Sequence, residues 1–229
     1  MTGYVQTGCD PIDELLGGGF ERGAVTQVYG PPAAGKSNLV LSAAVEAATE
    51  GGSTLYIDTE GLSVDRMEQL AEGHPDIDLD SVAPRLIVSE VHDFDEQAEA
   101  VRDAAEFAEQ VAFIVLDSAT GFYRLERTER EEGEALRAVA RQVTHLLSLA
   151  RKHDIAVALT NQVYTDPEGE TARALGGHTL DHWSGVILRL DRFRGGNRRA
   201  TLEKHHAREA GTSAQFRITD DGITGDTPP

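Results

Sequence analysis

Two hydrophobic rhythms take turns along this chain. Short, nearly continuous apolar runs at residues 24–29, 54–58, 86–89, 112–117 and 155–161 predict strands. Between them, residues 36–49, 63–73, 93–109 and 130–151 carry apolar positions at helical spacing, clearest in Leu136, Val139, Val143, Leu146, Leu147 and Ala150. A further short helix is predicted at 10–16, where Asp10 can cap, Pro11 fits the first turn and Asp13 stands three residues after the cap. Gly17, Gly18 and Gly19 stop it. Strands that are apolar on both faces and alternate with helices call for a parallel sheet covered on both sides, an α/β fold.

Past Asn161 the pattern changes. Residues 163–183 hold Pro167, Gly169, Gly176 and Gly177 with few apolar positions, which predicts an irregular connection. Residues 186–193, 198–204 and 215–218 then read as strands, with Gly195, Gly196 and Asn197 as a hairpin turn, so an antiparallel C-terminal extension of the parallel sheet is expected. The whole, residues 1–229, reads as one domain, with 223–229 expected to be a flexible tail.

Composition narrows the setting. No apolar run approaches the ~18 residues of a membrane span, and the first residues form neither a basic leader nor a signal-length apolar stretch; a cytoplasmic protein without membrane contact is expected. Cys9 is the single cysteine, which excludes an internal disulfide and a cysteine-based zinc cluster. The 39 acidic residues against 21 basic ones give a net charge of -18, which opposes diffuse attraction to nucleic acid and confines any DNA contact to a local patch. Only Lys36, Lys152 and Lys204 among the basic residues are lysines. An acidic, lysine-poor surface suits a halophilic protein, because screening over ~3 Å in molar salt relieves self-repulsion.

One segment carries decisive chemistry. Gly30, Pro31, Pro32, Ala33, Ala34, Gly35, Lys36 and Ser37, followed by Asn38, fill the GxxxxGK[ST] pattern between a predicted strand and a predicted helix. Glycines allow close backbone approach, and the helix start offers unpaired N–H groups to phosphate. Lys36 reaches the outer phosphates of ATP, and Ser37 can hold Mg²⁺. Asp117 ends the strand FIVLD and can complete the metal shell. Glu60, after YIDT, either prepares an attacking water or merely leads the next helix. Gln162 either senses the terminal phosphate or serves a turn.

Five blocks in order, namely TGCDPIDELLGGGFERGAVTQVYGPPAAGKSN, YIDTEG, FIVLDS, ALTNQV and GGHTLDHW, resemble the archaeal branch of the RecA/RadA recombinase superfamily and within it the short RadA paralogues. The resemblance implies a RecA-like P-loop ATPase core. It places Glu60 at the catalytic glutamate, Asp117 at the metal-binding aspartate and Gln162 at the γ-phosphate sensor. It also implies DNA binding, weak ATP hydrolysis without strand exchange, and work beside a RadA-like recombinase and a Holliday junction resolvase. A KaiC-like ATPase in signalling or phosphotransfer shares the GGG…P-loop layout and is the alternative; LTNQV followed by GGH favours the recombinase side.

The chain departs from the resemblance in three places. Residues 1–7 leave no room for the N-terminal helical DNA-binding domain and polymerisation linker of full-length RadA. The second DNA loop, 163–175, is short, and Glu203, Lys204, His205, His206 and Ala207 stand where a recombinase has an Asp and Pro cap over the neighbouring nucleotide. Candidate DNA contacts are Arg124 and Arg127 in the first loop, Arg173 in the second, and Lys204 and Arg208 near the C-terminus; alternating charge on a hydrated surface is the competing reading of the first group. His178 and His182 are expected in a loop or strand entrance, and Trp183 as a core or interface anchor.

Overall fold

A computed structural model of the chain describes residues 3–73, 79–123, 133–165 and 172–225. The apolar runs become β3 (Val25–Gly30), β4 (Thr54–Asp58), β5 (Leu86–Glu90), β6 (Phe113–Asp117) and β7 (Ala156–Thr165), and β9 (Val186–Arg192) joins them in parallel to give the order β9-β3-β7-β6-β4-β5. The sheet separates two cores by the two-residue period of the strands. Tyr56, Val115 and Ala158 face α2 (Lys36–Thr49), whereas Ile57, Leu116 and Leu159 face α5 (Phe94–Phe107) and α6 (Glu134–His153). Every residue of β3, β4 and β6 is buried, as covering both faces requires. Edge strand β5 is only half-buried.

Beyond β9 the sheet continues antiparallel through β10 (Asn197–Lys204), β11 (Ser213–Thr219) and β12 (Gly222–Gly225). Residues 223–225, expected in a flexible tail, instead pair with Phe216, Arg217 and Ile218, with Ile223 buried; residues 226–229 lie outside the described residues. A small separate ribbon pairs β1 (Tyr4–Val5) with β2 (Phe20–Glu21) around α1 (Asp10–Leu16). In α1 the cap position belongs to Cys9 rather than Asp10, without a side-chain bond, and Asp13 reaches back to accept from the Thr7 N–H at 2.8 Å. Against α2 lie α3 (Val64–Glu72), capped by Ser63, and the short α4 (Leu79–Val82).

The connection after Asn161 is more regular than expected. β7 runs on to Thr165 and pairs with β8 (Ala172–Ala174), and α7 (Gly177–Trp183) follows directly. Backbone pairing in a hairpin arm needs no apolar pattern, and a one-sided seven-residue helix anchored by buried Leu180 is too short to show a periodicity. His178 and His182 thus stand one helical turn apart, not in a loop, and Trp183 is 38% exposed, so it is no core anchor. No helix among the described residues is long and apolar enough to cross a membrane.

Candidate nucleotide site

The parallel strands all end on one side of the sheet, and there the predicted site residues converge. β3 ends at Gly30, where an added Cβ would lie 2.3 Å from the Leu190 carbonyl of β9; only glycine lets the two backbones approach so closely. The loop then turns through Ala33 and Gly35, both at positive φ (61° and 104°), and Lys36 and Ser37 open α2 with no side-chain cap on the helix start. Those uncapped N–H groups face the loop and form an anion cradle. Lys36, 9% exposed, folds back so that Nζ donates to the Gly30 and Pro31 carbonyls at 3.1 and 3.3 Å. Burial lowers its pKa, while Glu60 and Asp117 act in the opposite direction.

Asp117 ends β6 and is fully enclosed. Tyr56 OH donates to its Oδ2 at 2.7 Å, Thr160 Oγ1 donates to Oδ1, and Ser37 adds a third hydroxyl. Burial still raises the carboxyl pKa above its usual range despite these donors. A buried carboxylate beside a serine hydroxyl, with donors but no counter-cation at salt-bridge distance among the described residues, suits a hard divalent ion. Ser37 and Asp117 are therefore the residues that would hold Mg²⁺, which would neutralise phosphate charge there.

Glu60 follows β4 in a turn shaped by Asp58, whose carboxylate accepts the N–H groups of Glu60 and Gly61 at 3.1 and 3.0 Å, and that of Leu62. Its Oε1 accepts from Ser118 Oγ at 2.9 Å and from Gln162 Nε2 at 3.2 Å, while Oε2 carries no hydrogen bond among the described residues. Gln162 is in turn tied to the next segment, its carbonyl accepting from Leu175 N–H at 2.8 Å; neighbouring Asn161 donates to the Leu175 carbonyl at 2.7 Å. The Asp117–Ser118 peptide is cis. Asn38, one turn into α2, accepts from Arg66 Nε at 2.8 Å.

A strand-loop-helix phosphate cradle, a buried metal-type carboxylate on the next strand but one, and a glutamate bridged to a glutamine narrow the fold to few families. The Rad51 family model matches residues 2–226. This chain belongs to the Rad51 family. The DNA repair and recombination protein RadB of Halobacterium salinarum is 60% identical over 223 residues, covering 96% of this chain and 94% of that protein. RadB of Methanococcoides burtonii is 42% identical over 94% of this chain and 95% of its own length. A crystal structure of the RadB recombinase superposes with a TM-score of 0.86 at 37% identity, covering 97% of this chain and all of the other. The RecA-like α/β core expected for the Rad51 family is the fold observed.

Of the residues singled out in the sequence, Gly30 to Ser37, Glu60, Asp117 and Gln162 meet in one place. Of the candidate DNA contacts, Lys204 and Arg208 stand apart from it. Arg124 and Arg127 lie outside the described residues, and Arg173 lies on β8. Lys204 is at the opposite end of β10 from the phosphate loop and donates to the Asp181 and Ser184 carbonyls, both at 2.7 Å, closing the C-terminus of α7. Arg208 Nη1 donates to the Glu14 carbonyl at 2.7 Å and closes α1 in the same way. Glu21, His205 and His206 bring ligand-type atoms within 4.8 Å of one another; the imidazoles stack at 20°, His205 Nδ1 accepts from Ala207 N–H, and His206 Nδ1 lies 3.4 Å from Glu21 Oε2. The sequence reading missed Tyr56, Thr160 and Ser118. The period-2 alternation of β4 and β7 was the available signal, since it puts Tyr56 and Thr160 on the face of Asp117.

Proposed function

We propose that this chain is an ATP- and DNA-binding member of the Rad51 family that assists homologous recombination and DNA repair as a mediator or regulator, hydrolysing ATP weakly and exchanging no strands itself. The carrying observation is the convergence of Asp117, Glu60 and Gln162 from the three neighbouring strands β6, β4 and β7 with Lys36 and Ser37 from the loop after β3. The relatives' name, DNA repair and recombination protein, supports the cellular role. A RadA-like recombinase and a Holliday junction resolvase are the partners this role calls for.

In this reading the backbone of the loop and Lys36 hold the ATP phosphates, and Ser37 and Asp117 hold Mg²⁺. Glu60 Oε2 accepts a proton from, or orients, the water that attacks the terminal phosphate, while Ser118 and Gln162 fix the carboxylate through Oε1. Weak hydrolysis fits a resting Lys36 that must leave two carbonyls, and a Glu60 already engaged on one oxygen. The test is ATP turnover in molar potassium chloride with and without single-stranded DNA, beside Lys36→Ala and Glu60→Gln. A slow rate that disappears in both variants supports the reading. A rate untouched by either substitution assigns the activity elsewhere.

A further inference from the structure

The segment joining β9 to β10 is the most arginine-rich stretch of this acidic chain, with Arg189, Arg192, Arg194, Arg198 and Arg199. Two of these are neutralised in place: Arg189 pairs with Asp191 and Glu203 at 3.3 and 3.1 Å, and Arg199 pairs with Asp191 at 3.3 Å. Arg198 has no carboxylate at salt-bridge distance among the described residues. Its Nη1 donates to the Gly196 carbonyl at 2.8 Å, and its Nε is buried with no hydrogen-bond partner. Burial and the nearby Arg192 both lower its pKa, as expected for a cation without a counter-charge.

Its position explains what is missing. Arg198 opens β10 opposite Arg192, at the end of the sheet where the parallel strands stop. A Cβ placed on Gly35 would lie 3.4 Å from both Arg198 Cδ and Nε and 2.9 Å from Ile218 Cδ1. The stem of Arg198 thus lies against the glycine that begins α2, beside the uncapped N–H groups of the phosphate loop. A guanidinium is long enough to reach an anion seated there, and its planar fork suits phosphate oxygens.

We propose that Arg198 is a nucleotide-binding residue that contacts a phosphate of the nucleotide held in the Gly30 to Ser37 loop and links occupancy of that loop to the β9–β10 turn. The proposal rests on the reading of that loop as the ATP site. On binding, the guanidinium exchanges the Gly196 carbonyl for a phosphate oxygen. The turn Arg194–Gly196, with Gly195 and Gly196 at φ 77° and 82°, then loses the bond that holds it.

The experiment uses the full chain in molar potassium chloride, with equilibrium binding of ATP–Mg²⁺ to the wild type, Arg198→Met, Arg198→Lys and Lys36→Ala. Arg198→Met is expected to bind about tenfold more weakly, Arg198→Lys to fall between it and the wild type, and Lys36→Ala to lose binding. Unfolding without nucleotide should leave the Arg198→Lys melting temperature unchanged, so that its binding defect is separable from folding. Hydrogen exchange of residues 193–197 should quicken when ATP binds the wild type and stay constant in Arg198→Met. ATP affinity of both Arg198 variants within about twofold of wild type, with Lys36→Ala inactive in binding, overturns the proposal and leaves the loop reading standing. Wild-type affinity in Lys36→Ala removes the loop reading and this proposal with it.

Discussion

Gln162 Nε2 donates to Glu60 Oε1 across 3.2 Å, so that β7 and the turn after β4 are joined through these two side chains. The same glutamine accepts from Leu175 N–H through its carbonyl. Glu60→Gln removes the carboxylate proposed to prepare the attacking water and is expected to lower ATP turnover by about 10²- to 10⁴-fold while leaving ATP affinity near wild type. Gln162→Ala keeps the carboxylate but frees it, and a loss of about tenfold in turnover is expected. Single-turnover hydrolysis beside equilibrium ATP binding separates the two effects; equal losses of affinity and rate would reassign both residues to binding.

Tyr56 OH holds Asp117 Oδ2 at 2.7 Å in an enclosed setting that already raises the carboxyl pKa. Tyr56→Phe removes a donor that favours the charged form, so the pKa rises further. Metal binding requires the carboxylate. The Mg²⁺ concentration that half-saturates ATP binding should thus increase on going from pH 8 to pH 6, and more steeply in Tyr56→Phe than in the wild type. Titrations of Mg²⁺ at the two pH values check this, and superimposable curves for the two proteins would exclude Asp117 as a ligand whose charge Tyr56 controls.

How much of this was legible beforehand depended on the length of the signal. Strands β4 and β6 and helix α2 were readable to within a residue, because continuous apolar runs and long periodic stretches leave little choice of burial. The P-loop was readable because its glycines, lysine and serine are each required by phosphate geometry. α7 was not, since seven residues with one buried leucine carry no period, and β12 was not, since Gly222 and Gly225 belong as easily to a tail. The hydroxyls that Tyr56 and Thr160 bring to Asp117 escaped notice for another reason: the two residues come from separate strands, and only the register β4-β6-β7 brings them together.

Asp13 gives the fold a measurable pH response. Its carboxyl is buried, and burial pushes its pKa up to about 6 from 3.8, against the opposing bond from Thr7 N–H and with Glu46 and Asp10 adding to the rise. The folded state therefore binds this proton more tightly than the unfolded state, so the stability it contributes is present below pH ~4 and lost as pH rises through about 6. Asp13→Asn keeps an acceptor for Thr7 and carries no charge. Its advantage in melting temperature over the wild type should be smallest at pH 4.5, grow to pH 7 and then level off, corresponding to at most about 3 kcal/mol. A difference that is constant across that range would show that Asp13 does not titrate between folded and unfolded chains.

Lys204 and Arg208 test how a basic residue should be read in an acidic protein. By sequence they are the cleanest candidates for DNA phosphate contacts, yet each is hydrogen-bonded to carbonyls near the end of a helix: Lys204 to Asp181 and Ser184, Arg208 to Glu14. A cation there satisfies orphan carbonyls and meets the negative end of the helix, an effect of about 0.3–1 kcal/mol for an exposed group in moderate salt. Gly17 reinforces the point, because an added Cβ at that position would meet Arg208 Nε at 2.7 Å. Lys204→Met and Arg208→Met should each lower stability by about 1 kcal/mol in denaturant unfolding. Affinity for single-stranded DNA, measured on the same samples as a function of salt, should change by less than about twofold with an unaltered salt slope. A slope reduced by about one per substitution, with stability intact, would instead make these residues phosphate contacts and their helix bonds a resting arrangement.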